Sequence, residues 1–177
     1  MSALRSEEDV EYEVSATQVR EQALAVIRAE IPYAEIASRL RPLYDRIYEH
    51  VGRGELTPSG HNVILYRDGR PGTWATEVGI QVARPFSDLG APGVAESEVA
   101  GSDIGKVVCS KTPAGTVATC THLGPYHALG SAHDAVIAWC ERSTYRRAGL
   151  RWEVYGDWTD DENELRTDVF YLLDSTA

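Results

Sequence analysis

Cationic side chains are scarce. Lys and Arg number 17 against 27 Asp and Glu, a formal net charge of −10 over 177 residues. Nucleic acid and anionic membranes recruit clustered Lys and Arg, so neither is expected as a direct partner. Cationic ligands remain compatible with such a surface. No run of 18 apolar residues occurs, which leaves no helical span for a bilayer. Met1 to Asp9 is polar and acidic with no apolar signal segment, so a cytoplasmic protein is expected. Cysteine is also sparse. Cys109, Cys120 and Cys140 are odd in number and lie in apolar patterns, as buried thiols rather than a disulfide framework.

Reactive constellations are missing too. His122, His127 and His133 are 5 and 6 positions apart, without a carboxylate or thiol completing a familiar metal site, so no metal is expected. No serine stands on a nucleophile elbow and no glycine loop cradles a phosphate, so no cofactor is expected. Phenylalanine is nearly absent: two Phe stand against nine Tyr and four Trp. Aromatics with a polar end suit a wet groove that stacks on flat ligands while its hydroxyls stay hydrogen-bonded.

What the chain does have is repetition. Pro32-Tyr33 recurs as Pro125-Tyr126, 93 positions later, and Leu24-Ala25 as Val117-Ala118 at that same offset. Tyr66-x-Asp68 recurs as Tyr155-x-Asp157 at 89, and Thr76-Glu77-Val78 as Thr167-Asp168-Val169 at 91. The order suggests an internal duplication about a pseudo-two-fold, with a groove on the common axis. With 43% apolar residues, the chain can bury one core or two small units sharing one.

Periodicity supplies the unit. Residues 10–30 read as extended, and Pro32 ends that stretch. Ile36, Leu40, Leu43, Tyr44, Ile47 and Val51 follow helical spacing, with Pro42 expected to kink the helix or mark its start. Strands follow at Asn62–Tyr66 and Trp74–Val82. Lys106–Leu123 then reads as strand around Pro113-Ala114-Gly115, followed by a helix from about Ala128 to Thr144. Strands Arg151–Gly156 and Leu165–Leu173 close the chain. The expected fold is α+β, with strand-helix-strand-strand used twice and both helices on one face of an antiparallel sheet. One domain spans 1–177, with a first module at 10–83, a connection at 84–105 and a second module at 106–174.

Strand alternation selects a candidate residue. Val63 and Leu65 form the aliphatic pair expected to face the helices, sending Ile64 and Tyr66 the other way. Matching Tyr66 to Tyr155 turns Trp152 and Val154 toward the helices and Glu153 and Tyr155 away, with Phe170 and Asp168 on the face of Glu153. A carboxylate thus stands where the first unit has Ile64, among Trp152, Tyr155 and Trp158. Buried there, it demands a cation or hydrogen-bond donors; otherwise it faces solvent or pairs with Arg151 or Arg166. Tyr33 and Tyr126 should enter the helices at the groove's rim, while Trp139 sits on a helical apolar stripe and suits core packing.

His122-Leu123-Gly124-Pro125-Tyr126, Ala138-Trp139-Cys140, Trp152-Glu153-Val154-Tyr155 and Thr167-Asp168-Val169-Phe170-Tyr171-Leu172 together carry a resemblance. The stretch Thr116 to Leu173 resembles the GyrI-like small-molecule-binding domains, also found as effector domains of multidrug-sensing transcription regulators. Ile31-Pro32-Tyr33 and Tyr66-x-Asp68 extend it more loosely into the first half. The resemblance implies two modules with a ligand cleft between them, and a glutamate facing lipophilic, often cationic, aromatic compounds. Glu153 takes that role, with Tyr126, Phe170, Tyr155 and Tyr33 as aromatic walls; Tyr66, Trp139 and Trp158 complete the candidate set. Leu172 stands where the family's last strand usually has proline. Only about ten residues precede the first strand, so no helix-turn-helix is expected ahead of it. Three functions follow as expectations. The first is a stand-alone binding protein for lipophilic aromatic cations. The second is a hydrolase of strained, cyclopropane-bearing natural products using Glu153 and Tyr126, and the third an interaction module such as a gyrase modulator.

Overall fold

The computed structural model describes residues 11–68, 70–90 and 106–174. The alternating stretches form eight strands. The first four are β1 (Ser15–Val19), β2 (Gln22–Pro32), β3 (Pro58–Asp68) and β4 (Thr73–Val82). The others are β5 (Val108–Thr112), β6 (Gly115–Leu123), β7 (Arg147–Tyr155) and β8 (Arg166–Leu173). The two helical stripes wind into α1 (Ile36–Gly52) and α2 (Leu129–Arg142). A single 3-10 turn leads each helix, at Tyr33–Glu35 and Tyr126–Ala128, behind Pro32 and Pro125. Pro42 neither opens nor ends α1 but lies inside it, at the cost of one i→i−4 hydrogen bond. Gly54, at φ +75°, terminates the helix and donates its N–H to the Val51 carbonyl at 2.9 Å. The expected connection lies largely outside the described residues.

All eight strands join one antiparallel sheet in the order β1-β6-β8-β7-β3-β4-β2-β5. β3 and β7 form the central pair, with Ile64 opposite Glu153 and Tyr66 opposite Arg151. The edge strands are exchanged. β1 pairs with β6 of the second half, whereas β5, which opens the second half, pairs with β2 of the first. This exchange ties the halves along both flanks.

Both faces of the sheet are buried. On one, α1 covers Ile31, Ile64, Tyr66, Val78 and Ile80, and α2 covers Ala118, Cys120, Val169, Tyr171 and Leu173. On the other, Leu24, Val26, Val63, Leu65, Val108, Val117 and Trp152 form a single cluster. Leu24 and Val117 lie on strands near opposite ends of the sheet order, so they meet because the sheet curls on itself.

The curl corrects the face assignment. Val63 and Leu65 point away from the helices, into the curled interior, and Ile64 and Tyr66 point toward α1. Glu153 pairs in register with Ile64 and with Val169 and therefore also faces the helices. Phe170 and Asp168 lie on the opposite face from Glu153. The Phe170 ring stacks on Trp152 at 5.3 Å and 11°.

Two thiols follow this burial. Burial, with Asp168 nearby, pushes the Cys120 thiol up to about 11, and burial raises Cys140 as well. Cys109 is the half-exposed one. A chromogenic disulfide reagent at pH 8 should therefore modify one thiol per folded chain quickly, mapped to Cys109, and the other two only after denaturation. Rapid modification of all three in the folded state would contradict this packing.

Candidate functional site

A cavity of about 840 Å³ opens between α1 and α2, above the β3–β7 pair. α1 lines it with Ile36, Leu40, Tyr44 and Tyr48, and α2 with Leu129, Gly130 and His133. The 3-10 turn before α2 contributes Tyr126, whose ring meets Tyr155 edge-on at 5.6 Å. Trp74, Tyr66 and Trp158 complete the aromatic wall. The volume is within the usual range of small-molecule sites, and aromatic and aliphatic side chains make up about half of the lining, with Arg41, His61, Asn62, His133, Arg151, Glu153 and Asp157 as its polar members.

Glu153 forms the floor at 4% exposure. Tyr66 donates its hydroxyl to Glu153 Oε2 at 2.9 Å, and Tyr155 donates to the same oxygen. His133 Nε2 lies 2.6 Å from Oε1. On the far side of that imidazole, Nδ1 is 2.9 Å from the Tyr171 hydroxyl, which accepts from Arg151 Nη1 at 3.1 Å. Arginine only donates, so Tyr171 accepts from it and passes its own proton toward Nδ1. That leaves Nε2 as the protonated nitrogen, donating to the carboxylate; the tautomer is assigned from the network. Arg151, Tyr171, His133 and Glu153 thus form one directional relay.

Electrostatics follow from the geometry. Burial opposes a charge on Glu153, but the hydrogen bond and proximity of His133, with the Tyr155 and Tyr66 hydroxyls, outweigh it and hold the carboxyl below its ordinary value. Burial first, then the Glu153 charge, drives Tyr66 and Tyr155 well above theirs, so both stay protonated as donors. Neither arginine considered from the sequence pairs with Glu153. Arg166 binds Asp168 at 2.9 Å, and Arg151 packs its guanidinium 4.4 Å over Trp74 and 4.9 Å over Tyr66.

Five of the eight candidate side chains, Glu153, Tyr126, Tyr155, Tyr66 and Trp158, line this cavity. Tyr33 is not part of the lining; it is half exposed, with its ring 4.7 Å from that of Trp74. Phe170 is on the other face of the sheet. Trp139 stacks on Tyr145 at 5.7 Å, beside the α2 core. Sequence reasoning missed Tyr44, Tyr48, Trp74, Arg151 and, most consequentially, His133. A signal for His133 existed: the 93-residue offset of the two Pro-Tyr pairs sets it against Leu40. The same asymmetry that singled out Glu153 against Ile64 therefore marks its partner. Among the described residues, no group of three or more His, Cys, Asp or Glu is placed to hold a metal ion, and no helix is long and apolar enough to cross a membrane.

Residues 12–173 match the model of the GyrI-like family, described as a GyrI-like small molecule binding domain. A search of curated proteins returns no match. Among solved structures, the EcmrR C-terminal domain is similar at TM-score 0.69 and 19% identity, covering 93% of this chain and 99% of that one. Against EcmrR in its DNA complex, with the same score, identity and coverage of this chain, the chain spans 58% of the regulator's length. SAV2435 bound to tetraphenylphosphonium is similar at TM-score 0.57 and 11% identity, covering 94% of this chain and 95% of that one. A hydrolase from Listeria innocua aligns at TM-score 0.55 and 13% identity over 92% of both chains. Identities this low establish the fold alone. The family match extends over nearly the whole chain, and the chain belongs to the GyrI-like family.

Proposed function

We propose that this GyrI-like domain binds lipophilic aromatic small molecules, preferring cations, as a sequestering or sensing module. Glu153 supplies the counter-charge, and Tyr126, Tyr155, Tyr66 and Trp158 supply ring surface. One observation carries the reading: a charged carboxylate, 4% exposed, forms the floor of an aromatic cavity and, among the described residues, is hydrogen-bonded directly only to two tyrosines and a histidine. Each ring contact with a cation contributes roughly 0.5 to 2 kcal/mol. Tetraphenylphosphonium, the molecule bound to the similar SAV2435, has the class of charge and bulk this cavity suits.

Calorimetric titration with tetraphenylphosphonium tests the proposal, with an expected micromolar dissociation constant, or about −8 kcal/mol. Tyr126, 42% exposed and removable without opening the core, provides the mutational check. Tyr126→Ala should weaken binding by about tenfold, the loss of one aromatic contact. No heat at millimolar ligand would refute the reading.

Turnover is a second reading, favoured by the same carboxylate. Its two oxygens offer about four acceptor sites and three donors are in place, leaving one position for a water that Glu153 would orient or deprotonate. The water would attack a cyclopropane carbon, and the strained C–C bond would break toward a carbonyl conjugated with the ring. Tyr126 at the mouth would protonate the carbonyl oxygen that receives the electron pair. Product formation from a cyclopropane-bearing electrophile, abolished in Glu153→Gln, would establish hydrolysis; absence of product with retained binding would leave the binding role alone.

A further inference from the structure

A second cavity, of about 500 Å³, lies where β7 begins, and it is lined by Arg67, Arg146, Arg147 and Arg151 together with Trp74 and Tyr171. Four arginines among the residues lining one hollow are unexpected in a chain with a net charge of −10. Among the described residues Arg146, Arg147 and Arg151 form no ion pair; Arg67 alone has a carboxylate near it, Glu77 at 3.6 Å, which also binds Arg28 at 3.1 Å. The backbone gathers these charges. Arg147 pairs with Leu173 and Arg151 with Tyr171, so four residues of β7 span only two of β8. The bulge takes up Gly149 at φ +78°, a conformation glycine adopts without strain. It shortens the separation of the two arginines along the strand from about 13 Å to about 7 Å.

We infer that this hollow is an oxyanion site, taking a phosphate, sulfonate or carboxylate group in the fork of Arg146, Arg147 and Arg151. Guanidinium groups match such anions in bidentate geometry, and an anion relieves their mutual repulsion. Arg151, Trp74 and Tyr66 line both cavities, so the site abuts the main one without depending on what binds there. The oxyanion is either a free ion or a substituent on an aromatic molecule whose body occupies the main cavity.

Arginine Nε–H resonances of the full chain, followed by NMR during titration with inorganic phosphate and then phenyl phosphate, test the site. The expected result is a saturable shift confined to Arg146, Arg147 and Arg151, with exposed Arg39 as the silent control. In Arg146→Ser/Arg147→Ser, which changes two exposed side chains, affinity should fall at least about tenfold. Phenyl phosphate binding more tightly, with the advantage lost in Tyr126→Ala, identifies an anionic substituent on an aromatic ligand; equal affinities identify a free oxyanion. Linear, unsaturated shifts spread over all arginines, or undiminished affinity in the double variant, overturn the assignment.

Discussion

His133→Leu is expected to cost about 3 kcal/mol of folding stability at pH 7, because it strips a buried carboxylate of its strongest partner. Two tyrosine donors remain, so the loss sits at the lower end of the range for breaking a buried pair. The pH dependence separates this from simple cavity damage. In the wild type the folded Glu153 carboxyl lies below the ordinary value of 4.5. Its contribution is therefore complete above that value and is lost as pH falls through the lower folded one. Without His133 the burial penalty dominates, and the folded carboxyl rises above the ordinary value. Its contribution then reverses sign, present at low pH and lost as pH rises. The stability gap between variant and wild type, from urea titrations, should be large at pH 7 and shrink toward pH 4. Adding Glu153→Gln to His133→Leu should recover part of the loss at pH 7. A gap independent of pH would show that His133 acts only by filling space.

Gly79→Ala should destabilise the chain by a similar amount, about 3 kcal/mol, through overpacking. Gly79 lies mid-strand in β4, between Val26 of β2 and Val63 of β3. A Cβ there would stand 2.1 Å from the Ala25 carbonyl oxygen and 2.7 Å from Val26 Cγ1. Backbone cannot yield as a flexible side chain does, so β2 and β4 would have to separate. β4 also holds β3, which carries Tyr66 against Glu153, so binding should suffer with stability. Gly130→Ala in α2 is the contrasting control, since nothing lies within 4 Å of its added methyl. That change should leave stability equal or slightly raised, by about 0.5 kcal/mol. Equal urea midpoints for both variants would contradict the tight β2–β4 approach.

Helices and strands were legible because their apolar periods are strong. The stripe Ile36, Leu40, Leu43, Tyr44, Ile47 and Val51 forms α1, and the alternation Val78, Ile80, Val82 places one face of β4 under it. The direction of β3 was not legible, for a physical reason. Val63, Ile64 and Leu65 are fully buried and Tyr66 nearly so, because a curled sheet hides both faces. Alternation then reports two apolar sides and cannot say which one the helices cover. The exchange of β1 and β5 was equally hidden, since short strands carry no mark of their partners. Glu153 lines the cavity despite the inverted faces, because the contrast with Ile64 that singles it out is independent of direction. His133 carries the same signal against Leu40, which a search of histidine spacing for metal ligands does not reveal.

Charge selectivity at Glu153 is the most direct test. Calorimetry should compare tetraphenylphosphonium with neutral triphenylphosphine oxide, in the wild type and in Glu153→Gln. The wild type should favour the cation by about tenfold or more, the contribution of one desolvated counter-charge, and the variant should bind both alike. A variant that keeps the full preference for the cation would contradict the role given to this carboxylate.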